Sequence, residues 1–371
     1  MTGSAAAPGG ARRVLVVDDS SFMRMALKRI VAAAPGLEVV GEARNGAEAV
    51  ALAATLRPDI ITMDIEMPEL DGVAATRRIL AGPPPGPVVI MVSVHTQHGA
   101  DATIRALHAG AVDFVSKSSA FAAEDLGHID NELRQKLTYW AERRGAPAPA
   151  AARPLPPEAA PEPAAGAVPE PRARVDLVVV AVSTGGPQTL PLLLDGARPF
   201  GAPVVVAQHM PERFTHSLAA LLRSETGVPV VEGEHRMRLA PGEVVIVPGG
   251  RDAAVVAAAA GYELRLTMSD AAVHPSADLL FETAAMAGRH PGGVILTGMG
   301  SDGVRGAAAL RRRRLPVLVQ DPASCVVDGM PRAAIEAGVA TGILPPREIG
   351  ETLARWTDVA YPRPQGNAET P

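Results

Sequence analysis

Short apolar runs alternate with amphipathic stretches along most of the chain. Val14–Val17 is continuous, apolar and the length of a buried parallel strand. Ser20 then stands where a helix cap is expected, and Met23, Leu27, Ile30 and Val31 fall on one helical face. Leu37–Ala43 reads as a second strand, followed by an Asn45–Gly46 turn and a helix to Leu56. Ile60–Met63, Val88–Val92 and Val112–Val115 supply three more strands. Five strands separated by helices predict a doubly wound, flavodoxin-like, five-stranded parallel sheet over residues 11–135.

The pattern then breaks. Residues 145–173 are dominated by Pro, Ala and Glu, and proline both fixes φ and lacks the amide donor that helices and sheets need. This stretch reads as a semi-rigid, extended linker. Beyond it the alternation resumes over 174–358, with Leu177–Val182, Val204–Ala207, Val244–Val247, Val294–Leu296 and Val317–Val319 as short Val-rich strands. The second domain is therefore expected to be a Rossmann-like α/β domain. Residues 228–268 alternate more strictly, which points to some antiparallel pairing.

Composition narrows the function. The chain has 371 residues and 47% hydrophobic content, enough for two cores, but only 3% aromatics, so aliphatic side chains must fill them. A formal charge of −5 disfavours binding to nucleic acid, and Arg311–Arg314, the one basic block, reads as a solvated helix end. A single cysteine, Cys325, allows no internal disulfide and reads as a small buried hydrophobe. Met1–Arg13 has no apolar signal region, and no apolar run reaches the roughly 18 residues of a spanning helix. A cytoplasmic location without membrane insertion is the expectation. His95 and His98 have no third ligand in sight and read as surface residues.

Ligand sites in open α/β sheets lie beyond the carboxyl ends of the strands. In the first domain that edge receives Asp18 and Asp19, Asp64, Ser93 and Lys117 from separate strand ends. Clustered carboxylates repel one another, and a hard divalent cation such as magnesium relieves the repulsion with oxygen ligands. One carboxylate is then a nucleophile towards phosphorus, with Lys117 and the metal neutralising the phosphoryl oxygens and Ser93 bonding to one of them.

The strings VLVVDDS, ITMDIEMPELDG, VIMVS and DFVSK resemble a response-regulator receiver domain. The resemblance implies that Asp64 takes a phosphoryl group from a sensor histidine kinase. It implies magnesium at Asp18, Asp19, Asp64 and the Glu66 carbonyl, and switch roles for Ser93 and Phe114. Ser118 departs from the proline that usually follows the lysine.

In the second domain Ser183 ends the first strand, ahead of Thr184-Gly185-Gly186, close to the G-x-S-x-G turn that exposes a nucleophile. His209 ends the next strand on the same edge, placed to take the serine proton. Asp302 lies in the loop Gly298–Gly303 and can orient the imidazole, while a backbone N–H of this loop can join an oxyanion hole. The order Ser, His, Asp differs from the α/β-hydrolase order. Read differently, Gly298-x-Gly300-x-x-Gly303 with Asp321 at the next strand end matches a dinucleotide-binding fingerprint, although Asp302 would then oppose the pyrophosphate. An output domain that only binds is a further alternative.

VSTGGP, VVVAQHMPERFT, PGEVVIVPGG, HPSADLLF, LTGMGSDG and QDPASCVVDGMPRAAIEAG look like the methylesterase domain of the bacterial chemotaxis protein-glutamate methylesterases. The resemblance implies Ser183 as nucleophile, His209 as base, Asp302 as its partner, the Met299 N–H in the oxyanion hole and Thr184 in support. It implies ester hydrolysis, and glutamine deamidation, on methyl-accepting chemotaxis receptors with no cofactor for that step. The linker leads to the expectation that the receiver covers the Ser183 edge until Asp64 is phosphorylated. Asp252 and Asp328 depart from the family's usual histidine and aromatic residue, which points to altered substrate or domain contacts.

Overall fold

The computed structural model describes residues 11–94, 97–117, 123–143, 168–195 and 200–359. The chain divides into two compact units, Met1–Pro154 and Leu155–Pro371. Ser118, His95 and most of the proposed linker lie outside the described residues, as does the side chain of His98.

The first unit runs β1 (Arg12–Val17), α1 (Ser21–Ala33), β2 (Leu37–Ala43), α2 (Gly46–Leu56), β3 (Ile60–Asp64), α3 (Gly72–Leu80), β4 (Val88–Val94), α4 (Gln97–His108), β5 (Asp113–Lys117) and α5 (Ala123–Glu142). Its strands lie in the order β2-β1-β3-β4-β5, and all pairs are parallel. This order reverses between β1 and β3, which opens a crevice at their carboxyl ends. Ser20 caps α1 by accepting the Met23 N–H, and Met23, Leu27, Ile30 and Val31 are buried beneath it. Asn45 is an N-cap too, with its Oδ1 2.8 Å from the Glu48 amide.

Helix α5 runs seven residues past the expected domain end at 135. Leu133, Leu137 and Trp140 recur at i, i+4 and i+7, and burial of this stripe carries the helix to Glu142.

The second unit begins with β6 (Leu177–Val182), α6 (Gly186–Leu194), β7 (Val204–Gln208), α7 (Phe214–Thr226), β8 (Val230–Glu232), β9 (Met237–Leu239), β10 (Val244–Ile246), β11 (Asp252–Ala257) and β12 (Tyr262–Thr267). It continues with α8 (Ala277–Ala287), β13 (Pro291–Ile295), α9 (Val304–Arg312), β14 (Val317–Gln320), α10 (Gly329–Glu336), β15 (Gly342–Leu344) and α11 (Pro346–Thr357). Seven parallel strands follow the order β15-β14-β13-β6-β7-β10-β8. A separate antiparallel sheet, β11-β12-β9, answers the alternating pattern over 228–268.

All six residues of β6 are buried, as expected of a strand covered on both faces. At about 1.5–3 kcal/mol for each large aliphatic side chain, such strands dominate the core of this ring-poor protein. Trp356, Phe214 and Phe281 are the largest of its fully buried side chains. β13 starts three residues earlier than the Val-rich run suggests, because Pro291, Gly292 and Gly293 also pair with β6. Arg311–Arg314 ends α9 with three of its four residues exposed, and the Arg313 guanidinium donates to the carbonyls of Ala285 and Gly288 at the end of α8. Cys325 corrects an expectation: it is only half-buried, because it follows a short turn on the loop after β14, with Sγ against the Asp321 carbonyl.

Gly72 seats the loop after β3. Its N–H donates to the Ile65 carbonyl at 2.9 Å, and a Cβ there would stand 1.9 Å from the Asp64 carbonyl oxygen. Gly72→Ala should therefore destabilise the first unit by about 1–3 kcal/mol. Calorimetry of the full chain checks this as a lowered melting transition for that unit alone.

Candidate active site

In the first unit, the reversal between β1 and β3 brings Asp18, Asp19 and Asp64 together. One ligand oxygen from each lies within 4.8 Å of the others. Asp18 and Asp64 are buried and Asp19 is exposed. Lys117, from the end of β5, places Nζ 2.8 Å from Asp18 Oδ2 and 2.8 Å from Asp64 Oδ1. Burial pushes the Asp64 carboxyl up to about 6, Asp18 adds to this, and Lys117 and the Ile65 N–H offset part of it. Burial also opposes the Lys117 charge, yet Asp64 and Asp18 outweigh it and raise its pKa.

Three clustered carboxylate oxygens are the donor set of a hard divalent cation, so these residues fit magnesium. Glu66 is exposed just beyond β3. Ser93 is buried on β4 with Oγ 3.3 Å from the Gly99 carbonyl. Phe114 is buried on β5, where Lys136 from α5 bonds its carbonyl and stands 5.5 Å from its ring centre.

In the second unit, the reversal lies between β6 and β13. Ser183 follows β6, and the loop Gly298–Gly303 follows β13 shortly after its end. His209 follows β7, and its N–H donates to the Val182 carbonyl at 3.0 Å, beside Ser183. The turn after Ser183 is shaped by two glycines. Gly185 has φ +84°, and a Cβ on Gly186 would stand 1.8 Å from Gln208 Oε1. Gln208 Nε2 holds the Ser183 carbonyl at 2.9 Å.

His209 Nε2 lies 2.8 Å from Asp302 Oδ2. Asp302 Oδ2 also accepts the Ala277 N–H at 2.7 Å, and Oδ1 accepts the Asp278 N–H at 3.0 Å. Both amides belong to the first turn of α8, a natural seat for a carboxylate. Burial works to raise the Asp302 pKa, but the bonds from His209, Ala277 and Asp278 outweigh it and hold the carboxyl below its usual range. An ionised Asp302 can only accept, so Nε2 carries a proton and the Nδ1 of a neutral imidazole keeps its lone pair. That nitrogen is the one able to take a proton from serine. In this state Ser183 Oγ bonds to no described residue.

The 298–303 loop is pinned through Gly298, whose N–H donates to Val327 at 2.8 Å and whose carbonyl accepts from Met330 at 2.9 Å. The adjoining Met299 N–H donates to no described residue, so it is available to an oxyanion. Thr184 is buried, and its carbonyl accepts from Thr297 Oγ1 at 2.9 Å.

Several supporting residues carry no sequence signal of their own. Thr297 Oγ1 also bonds the Val327 carbonyl at 3.0 Å, and the Thr297 N–H bonds Gln320 Oε1 at 2.8 Å. Asp278 Oδ1 accepts the N–H groups of Gly303 and Gly306 at 3.0 and 2.8 Å. These are the amides a pyrophosphate would need, so the dinucleotide alternative loses its anion site. The HPSADLLF string contained Asp278, but nothing in it pointed to residue 303.

The two departures from the family pattern lie inside the second unit. Asp252 is fully buried and Asp328 nearly so, and Asp328 pairs with Arg332 one turn along α10. Being buried and internally bonded, neither presents its carboxylate as an open contact surface for substrate.

A parallel sheet with an acidic crevice, followed by one whose edge gathers serine, histidine and aspartate, defines a class: response regulators with an enzyme-like output unit. The response regulator receiver domain model matches residues 14–126, and the CheB methylesterase model matches 178–353. A protein-glutamate methylesterase/protein-glutamine glutaminase of Alkalilimnicola ehrlichii is 40% identical and covers 92% of this chain and 99% of its own. One from Saccharophagus degradans is 40% identical over the same 92% of this chain and 99% of its own. The crystal structure of the Thermotoga maritima CheB methylesterase catalytic domain is 38% identical, with TM-score 0.47 over 48% of this chain and 97% of that one. The chain belongs to the protein-glutamate methylesterase/protein-glutamine glutaminase family.

Because the Asp302 pKa is lower folded than unfolded, the unfolded chain binds the extra proton first as pH falls. The stabilisation is present above the ordinary aspartate value of about 3.9 and is lost on acidification below it. Urea unfolding between about pH 3 and 6 should show a steeper acid loss for the native protein than for Asp302→Asn.

Proposed function

We propose that this chain hydrolyses glutamate methyl esters, and deamidates glutamines, on methyl-accepting chemotaxis receptors, and that phosphorylation of Asp64 raises the rate. The observation that carries the proposal is the 2.8 Å bond between His209 Nε2 and Asp302, on the sheet edge where Ser183 lies. Ser183 Oγ attacks the ester carbonyl carbon while His209 Nδ1 takes its proton. The Met299 N–H bonds the resulting oxyanion, and Thr184 supports the loop beneath. The C–O bond to the methoxy group breaks, and the proton on Nδ1 leaves with it as methanol. Water then gives a proton to Nδ1, attacks the acyl-enzyme and releases the glutamate carboxylate and free Ser183. A glutamine side chain follows the same route and releases ammonia. The residues of this step need no cofactor.

In the first unit, the Asp64 carboxylate accepts the phosphoryl group from a histidine of a chemotaxis sensor kinase. Asp18, Asp19, Asp64 and the Glu66 carbonyl would hold magnesium, which supplies charge neutralisation at the phosphoryl oxygens. Lys117 contributes a second positive charge there, and Ser93 and Phe114 form the switch. The reading extends the receiver from 11–135 to the end of α5 at Glu142, and takes 145–173 as linker and 174–358 as catalytic domain. No helix among the described residues is long and apolar enough to cross a membrane. That is compatible with action from the cytoplasm on receptor domains there, without membrane insertion and without nucleic acid as a partner.

Methanol release from methylated receptor tests the proposal. Ser183→Ala should lower kcat by at least about a thousandfold. A small-molecule phosphoryl donor should raise the native rate, and Asp64→Asn should abolish that rise while keeping the unstimulated rate. A native rate of zero with the donor present would sink the esterase reading, and an undiminished rise in Asp64→Asn would sink the phosphorylation site.

A further inference from the structure

Asp252 opens β11, and its carboxylate is fully buried. Oδ1 accepts His274 Nδ1 at 2.9 Å and the Ser276 N–H at 2.7 Å. Oδ2 accepts the Ser269 N–H at 2.8 Å and the Ser269 hydroxyl at 2.6 Å. A buried carboxylate without such donors would be costly, and the four bonds account for its survival as an anion. Burial works to raise its pKa, but the bonds from Ser269, His274 and Ser276 hold it below the usual range.

What this anion holds is the entry to α8. Ser276 is the N-cap, with its Oγ accepting the Leu279 N–H at 3.3 Å. The next two amides, of Ala277 and Asp278, are those that bond the Asp302 carboxylate. The same turn holds the 298–303 loop from the other side, through Asp278 and the Gly303 N–H. One buried charge therefore fixes residue 276, residues 277 and 278 fix Asp302, and Asp302 fixes the imidazole.

We infer that Asp252 is a positioning residue for the ester hydrolysis, setting the first turn of α8 and through it the Asp302 carboxylate against His209. The inference rests on the reading of Ser183, His209 and Asp302 given above. Small displacements of a catalytic group carry large rate losses while leaving substrate binding in place.

The experiment measures kcat and KM for methanol release from methylated receptor, using the full-length protein and Asp252→Asn, each also carrying Asp302→Asn. Asp252→Asn should lower kcat by about tenfold to a hundredfold with KM changed less than about twofold. In the Asp302→Asn background it should cost no more than about twofold, because the group it positions is already disabled. Thr283→Val serves as the comparator, since it removes a hydroxyl farther along α8 that accepts the Val255 N–H at 3.1 Å and donates to the Leu279 and Leu280 carbonyls, and that touches neither Asp302 nor the amides that bond it. It should lower the melting temperature and leave kcat unchanged.

If Asp252→Asn does not fold, Ser269→Ala removes one of the four bonds to the Asp252 carboxylate, together with the 3.3 Å bond from the Ala271 N–H, and should give a smaller kcat loss with the same dependence on Asp302. Unchanged kcat in the folded variant, or the same loss with and without Asp302, would overturn the inference. Ser183→Ala and Asp302→Asn separate the two failures. Full activity in both would sink the catalytic reading itself, whereas their inactivity beside an uncoupled Asp252 variant sinks only the positioning role.

Discussion

Parallel pairing decides where the chemistry of this protein can occur. In a parallel sheet every strand ends on the same edge, and the connecting chain must return along a face. Each unit reverses its strand order beside its first strand, at β1/β3 and at β6/β13, and the two crossovers leaving that point diverge. The space between them stays open. Asp18 and Asp64 border one such space, and Ser183 and the Asp302 loop border the other.

The two edges keep a buried carboxylate in place by different means. Asp64 faces a full positive charge on Lys117, yet burial and Asp18 leave its pKa raised, a site suited to further cationic charge. Asp302 meets two backbone amides and an imidazole, and its pKa is lowered. Backbone donors cannot titrate and cannot swing away. The second arrangement therefore suits a group that must remain an anion throughout its work, and the first suits one whose charge is meant to change.

Much of this was legible in the sequence because strands covered on both faces leave unbroken apolar runs, and the residue after each run must lie on the active edge. Ser183, His209, Asp18 and Asp64 were found that way. The partners that seat them were not. Asp302 meets the Ala277 amide across 25 positions of sequence, and Thr297 meets Val327 across 30. No local period encodes such pairs. Asp252 and Asp328 stood out only as departures from the family pattern, and nothing in the string around them shows that they are buried. Here donors from distant segments make Asp252's burial tolerable, which a linear reading cannot register. The end of α5 was a different kind of shortfall: the spacing of Leu133, Leu137 and Trp140 was present in the chain, but the domain was closed at 135 before its last turns.

The scarcity of rings has an optical consequence. The chain has 2 tryptophans, and the fold gives one to each compact unit, Trp140 on α5 and Trp356 on α11. Both are buried, and neither indole N–H has a hydrogen-bond partner among the described residues, so the emission of each ring changes when its own unit unfolds and exposes it to water. Replacing either ring with phenylalanine leaves a chain whose emission reports on one unit alone. The receiver and the esterase unit can thus be watched separately, by light, within the same intact molecule.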